Sequence, residues 1–227
     1  MYGTGSDAPK PGVSPNSTPE PFAWLAKPEL EALCATVPPP PAPGSPVDLA
    51  DFAAILKAQA ERTPEIIAEC KLDQFLTYKL FQPVYGSDLT PQNSPKFHQL
   101  MTRVLDVTRF VNGTVKDKYE RPRPYVGHPD VVKSLFVVKG FSYPSGHSMA
   151  SFTLAVALGE VLPDKKQAFL ARAQAIAQSR VDAGVHYPSD IKAGEVLGRA
   201  TGAAIIANAT FQKELVAAKE ELAGLRR

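Results

Sequence analysis

An all-α fold, a single multi-helix bundle with a Pro-rich N-terminal extension, is what this 227-residue sequence predicts. Three observations carry the reading. Apolar residues recur at helical spacing in most segments after residue 48. Proline and capping residues stand where helices would start. No two segments alternate apolar and polar residues as paired strands do.

Residues 1–48 form the extension and hold more than half of the 22 prolines, including "PPPPAPGSP". Such a stretch favours extended polyproline geometry over a long helix. Phe22, Trp24 and Leu25 are large and apolar, so part of it is expected to strap over the domain. The helical domain, residues 49–227, opens with Leu49, Phe52, Ile55 and Leu56 on one helix face. A second helix is expected from Thr63 to about Leu80, with Pro64 in its first turn. "SPKFHQLMTRVLDVTRFVNGTVKDKYE" (94–120) reads as one long helix capped by Ser94. Residues 121–143 are irregular. Helices then follow from Ser145 through "SMASFTLAVALGEVL", from Pro163 to Ala183, from Pro188 to Asn208, and over "FQKELVAAKEELAGL" (211–225). The Pro188 helix is rich in small residues, which permit close packing.

The totals exclude some functions. A net charge of +2 is too small for general nucleic-acid binding. The longest apolar runs, "ASFTLAVALG" and "ATGAAIIANA", are about half the ~20 residues of a membrane span. The start "MYGTGSDAPKPG" lacks a basic region followed by an apolar one, so no signal peptide is read from it. That suits either a cytosolic protein or a processed chain. Cys34 and Cys70 form no CxxC pair, which argues against structural zinc and leaves a disulfide and two free thiols as alternatives.

Three segments carry chemistry. "KDKYERPRP" contains Lys116 and Arg123. "GFSYPSGHSMA" places Ser145, Gly146 and His147 at a helix mouth. "SRVDAGVHYPSD" contains Arg180, His186 and Asp190. Alone, each has an ordinary explanation: solvated charges near a helix end, a capped loop, an i,i+4 surface pair. Together they supply three cations for a tetrahedral oxyanion, with forked hydrogen bonds from the arginines. The backbone N–H groups of Ser145 and Gly146 add a helix N-terminus that favours an anion. Asp190 would hold Nδ1–H of His186 and present Nε2 as a nucleophile, while His147 protonates a leaving oxygen. His98 and His128 have no such company and read as structural or solvent-facing.

These segments, in this order, match KxxxxxxRP, PSGH and SRxxxxxHxxxD, separated by 19 and 31 residues. The chain thereby resembles the type 2 phosphatidic acid phosphatase superfamily. "SYPSGH", "PPPPAPGS" and "ANATFQKELVAAKEEL" are similar to the class A bacterial nonspecific acid phosphatases, over about residue 35 to the end. The resemblance implies a metal-independent acid phosphatase of broad specificity, without cofactor, acting through a phosphohistidine, with phosphotransfer to other alcohols as a further activity. His186 is then the nucleophile, Asp190 its orienting partner and His147 the acid, then the base. Lys116, Arg123, Ser145, Gly146 and Arg180 hold phosphate oxygens. It further implies small phosphomonoester substrates, phosphate or vanadate as inhibitors, no nucleic-acid partner, a homo-oligomer and a periplasmic or secreted location. Arg121–Pro122 before Arg123–Pro124 makes a stiff double turn, and residues 125–143 are expected at the site's rim. The alternatives are a vanadium-dependent haloperoxidase, which uses the same residue set, a specialised lipid or isoprenoid phosphatase, and a non-catalytic phosphate-binding module.

Overall fold

The computed structural model describes residues 24–116 and 118–225. Phe22, expected in the strap, lies outside them. Among the described residues there are ten α-helices, two short 3-10 turns and no strand, as the helical spacing predicts.

Helix α1 (Lys27–Ala35) falls inside the extension. Beside it Trp24 and Leu25 are buried. The Trp24 ring meets Phe211 edge-on at 5.3 Å and lies under the Arg103 guanidinium at 4.6 Å. This end of the extension is therefore part of the core. Helix α2 (Pro46–Ala60) starts before residue 49, because Ser45 Oγ accepts from the Asp48 N–H at 3.3 Å and Pro46 supplies the first turn. In that register Leu49 turns outward and is 59% exposed, while Asp51 and Ile55 face inward.

Helix α3 (Pro64–Leu72) is capped by Thr63 and ends well short of Leu80. The next residue, Asp73, is pulled out of the helix by two arginines of α8 (Lys166–Asp182). Arg172 takes its carboxylate, and Arg180 donates to its carbonyl oxygen at 3.2 Å. A 3-10 turn (Tyr78–Phe81) and α4 (Gln82–Tyr85) follow.

Helix α5 (Pro95–Lys116) is long, as expected, but its cap differs. Ser94 Oγ donates to Thr90 O. The orphan N–H groups of Lys96 and Phe97 go to the carboxylate of Glu221 at 3.1 and 3.0 Å. Glu221 lies on α10 (Ala209–Leu225), so one side chain caps α5 and ties the two helices together.

A single helical turn, α6 (Pro124–Gly127), interrupts the irregular stretch. Helix α7 (Gly146–Val161) is the centre of the bundle, buried on every side and packed against α5, α8 and α9 (Pro188–Ala207). Each buried Phe or Leu here contributes about 1.5–3 kcal/mol. The small residues of α9 do what their size suggests. A Cβ on Gly194 would stand 2.6 Å from Ser145 O, and one on Gly198 would press on Met149 O. Only glycine lets these backbones approach so closely. Cys34 and Cys70 are free thiols. Cys70 donates to Ser179 O at 3.3 Å, and burial pushes its pKa up to about 11.

Candidate active site

The C-terminal ends of α5 and α8 and the N-terminal ends of α7 and α9 meet at one end of the bundle. Lys116 closes α5, Arg180 lies in the last turn of α8, Gly146 and His147 open α7, and Asp190 lies in the first turn of α9. His186 sits in the tight turn between α8 and α9. The irregular segment 118–145 runs across this end and delivers Arg121, Arg123 and Ser142 to it.

The histidine pair occupies two environments. His186 is buried, and its Nε2 lies 3.1 Å from Arg123 Nη1. Arginine only donates, so Nε2 carries the lone pair and the neutral ring holds its proton on Nδ1. Burial, then the cations Arg123, Lys116 and Arg180, push the His186 pKa well below 6.5. The sequence called for Asp190 to hold that Nδ1–H. The Asp190 carboxylate is 3.5 Å away, at the edge of hydrogen-bond range. Ser142 stands between them: its Oγ is 3.3 Å from Nδ1 and donates to Asp190 Oδ2 at 2.6 Å.

Asp190 is completely buried, and burial raises its pKa. Donors oppose that rise. Oδ2 accepts from Ser142 and from the Tyr187 N–H at 2.8 Å, and Oδ1 accepts from Arg121 Nη1 at 2.8 Å. Arg121 then reaches Asp48 and Asp51 of α2, each at 2.9 Å, and stacks on Tyr187 at 4.0 Å. Burial alone would lower the Arg121 pKa; Asp190, Asp51 and Asp48 outweigh it and raise the value. Arg121 thereby links the carboxylate of α9 to α2.

The oxyanion side is cationic. Arg123 spends Nε on Gly140 O and Nη1 on Val185 O, both at 2.9 Å, and Nη2 on Lys139 O at 3.2 Å. Arg180 is fully buried, with Nη1 on Asp73 O and no protein partner for Nε or Nη2. Burial and Arg123 lower its pKa to about 10, which leaves it charged at neutral pH. Lys116 donates to Pro144 O at 3.2 Å, and burial, then Arg123, lowers its pKa to about 8.

Ser145 caps α7, its Oγ accepting from the Ser148 N–H at 3.4 Å. Its backbone N–H, expected to face an anion, instead donates to Asp190 O at 3.0 Å. The next first-turn donors, Gly146 and His147, have no intrahelical acceptor. Just before Ser145 the Tyr143–Pro144 peptide is cis. His147 is half-buried and its Nε2–H donates to Gln74 O at 3.2 Å. Burial, then Arg180 and His186, holds its pKa well below 6.5. A guanidinium at full burial with two unspent nitrogens, next to two neutral histidines, suits an oxyanion ligand.

Eight residues named from the sequence, His186, His147, Asp190, Lys116, Arg123, Ser145, Gly146 and Arg180, thus fall at this one end. His98 and His128 lie elsewhere. His98 bonds Tyr78 Oη at 3.0 Å and donates to Leu89 O at 3.2 Å, while His128 stacks on Phe52 at 4.1 Å. Ser142, Arg121, Asp48, Asp51 and Gln74 carry no motif spacing; of these, Arg121 and Ser142 stood inside stretches already singled out.

The profile of the PAP2 superfamily matches residues 101–213, a span that contains all eight residues. A non-specific acid phosphatase of Providencia stuartii is 30% identical, over 96% of this chain and 91% of that one. A non-specific acid phosphatase of Salmonella typhi is 30% identical, over 82% of this chain and 78% of its own length. In fold the chain is similar to a transmembrane PAP2 type phosphatidylglycerolphosphate phosphatase of Bacillus subtilis. The TM-score is 0.55 at 24% identity, over 82% of this chain and 94% of that one. No helix among the described residues of this chain is long and apolar enough to cross a membrane.

Proposed function

Because this chain belongs to the PAP2 superfamily, we propose that it is an acid phosphatase hydrolysing phosphate monoesters of broad specificity through a phosphohistidine. The observation that supports the reading most is Arg180: a fully buried cation with Nε and Nη2 unpartnered, beside neutral His147 and His186.

In this reading the phosphoryl oxygens lie among Lys116, Arg123, Arg180 and the first-turn N–H groups of α7. Arg123 turns its Nη1 from His186 to a phosphate oxygen. The freed Nε2 lone pair attacks phosphorus. The P–O ester bond breaks with its electron pair on the alcohol oxygen; His147, which takes up a proton from acid solution once the bound phosphate's negative charge raises its pKa, gives that oxygen the proton. Water then attacks phosphorus, His147 takes its proton, and the P–N electrons return to Nε2. Ser142 and Asp190 stabilise the positive charge that His186 carries in between. The fixed cations supply the electrostatic stabilisation of the transferring phosphoryl group. Any alcohol that enters in place of water would give phosphotransfer.

The proposal extends to a periplasmic or secreted location and a homo-oligomer, both resting on the resemblance to acid phosphatases. Inhibition by phosphate and vanadate follows from the cation set, since vanadate adopts the trigonal-bipyramidal shape of the transferring group.

The test is phosphate release from a generic monoester at acid pH in the presence of a chelator, alongside halide oxidation with vanadate and peroxide. Hydrolysis with negligible halide oxidation is expected. Halide turnover without phosphate release would replace this reading with the haloperoxidase one.

A further inference from the structure

We propose that Phe75 and Phe141 form an aromatic clamp at the mouth of the site, selecting phosphate monoesters whose alcohol carries a planar aromatic group. The proposal rests on the phosphatase reading and names its substrate class.

Among the described residues, Phe75 and Phe141 are the exposed phenylalanines, at 75% and 38%. Neither belongs to the hydrophobic core clusters. Each is chain-adjacent to a residue that grips the site. Phe75 follows Gln74, whose carbonyl oxygen takes the His147 N–H at 3.2 Å, and Asp73, whose carbonyl oxygen takes Arg180 at 3.2 Å. Phe141 stands between Gly140, which accepts from Arg123 at 2.9 Å, and Ser142, which donates to Asp190 at 2.6 Å. Adjacent Cα atoms are about 3.8 Å apart, so both rings are anchored within one residue of the catalytic contacts, from two different loops.

Apolar character continues beside both phenylalanines. Leu72, the last residue of α3, is 66% exposed, and Val137, on the Phe141 loop, is 79% exposed. Phe136, next to Val137, lies under the Arg180 guanidinium at 5.0 Å. The phosphate end of a substrate meets cations, and the alcohol must leave through this apolar frame. A phenylalanine has two side-chain torsions, so holding a ring against a ligand ring costs little entropy and adds offset or edge-on stacking. A polyol would meet the same surface without hydrogen-bond partners.

The test compares phenyl phosphate, a nucleoside monophosphate, a linear alkyl phosphate and glycerol 2-phosphate. Each is measured with the wild type and with Phe75→Ala, Phe141→Ala and Phe75→Leu. The wild type should favour both aromatic esters over the other two in kcat/KM. Phe75→Ala and Phe141→Ala should each lower that preference about three- to tenfold, mainly through KM. Phe75→Leu, apolar but without a ring, should behave like the alanine variant. Val216→Ala, on the exposed outer face of α10, should leave the preference unchanged. The clamp is overturned if the alkyl ester matches the aromatic ones, if Phe75→Leu keeps full preference, or if neither alanine variant changes it. A loss confined to phenyl phosphate or to the nucleotide would identify which aromatic alcohol the clamp holds. If the folded wild type releases phosphate from none of the four, the phosphatase reading itself fails and the clamp with it.

Discussion

Arg121 donates through Nη1 to Oδ1 of Asp190 at 2.8 Å, and both groups are buried. Its other amino nitrogen holds Asp48 and Asp51. One guanidinium therefore ties the catalytic end of α9 to α2 across the fold.

Replacing Arg121 with Ala would leave Asp51 and Asp190 buried without their cation. Breaking a buried ion pair costs about 3–5 kcal/mol, so thermal unfolding should show a large fall in Tm. Arg121→Lys keeps the charge but not the fork, and is the variant for kinetics. Arg121 lowers the Asp190 pKa, so weakening it lets that pKa rise. The acid limb of the pH–rate profile should then move to higher pH. An unmoved limb would reduce Arg121 to a packing role.

Ser142→Ala removes the 2.6 Å donor to Asp190 and the hydroxyl beside His186 Nδ1. A hydrogen bond to a charged group is worth about 1.5–3 kcal/mol. A kcat loss of about 10- to 100-fold is expected, with KM nearly constant. Ser142→Thr, which keeps the hydroxyl, should recover part of it if the larger side chain fits. Steady-state kinetics on one monoester is enough.

The two histidines make the protein acid-sensitive. Their folded pKa values lie well below the unfolded value of 6.5. The unfolded chain therefore binds protons first. Stability is full above about pH 6.5 and is lost as pH falls through the folded values. Bound phosphate, an anion, should raise the folded values and restore stability. Tm measured from pH 7 to 5 should fall more steeply without phosphate than with it, and less steeply in His147→Gln than in the wild type.

Lys116 titrates within reach of experiment. With a pKa of about 8 it is charged at acid pH and neutral above that value. Phosphate affinity should therefore weaken between pH 7.5 and 9, a range in which phosphate stays mostly dianionic. Lys116→Met should bind weakly throughout and lose this dependence. Lys116→Arg should keep the affinity flat. Competitive inhibition constants measure all three.

Much of this molecule is readable in its sequence because the informative residues sit at helix ends. Proline, serine and glycine mark where α7 and α9 begin, so the positions of Gly146, His147 and Asp190 follow from local rules. The i,i+4 spacing of His186 and Asp190 placed them together, though it could not show Ser142 between them. That contact spans 44 residues of chain, and Arg121 meets Asp51 across 70. No local pattern encodes such distances. The α3 break has the same origin, since Arg172 and Arg180 act on Asp73 from α8. Leu49 misled because a helix started by Ser45 and Pro46 sets a different register.

The most direct test is rapid acid-free quenching of the enzyme during turnover of a phosphorus-labelled monoester, followed by peptide mapping. The expected result is acid-labile label on the peptide containing His186, with no label in His186→Ala while that variant still folds. Label on His147, label on no residue during active turnover, or near-normal turnover by His186→Ala would contradict the account.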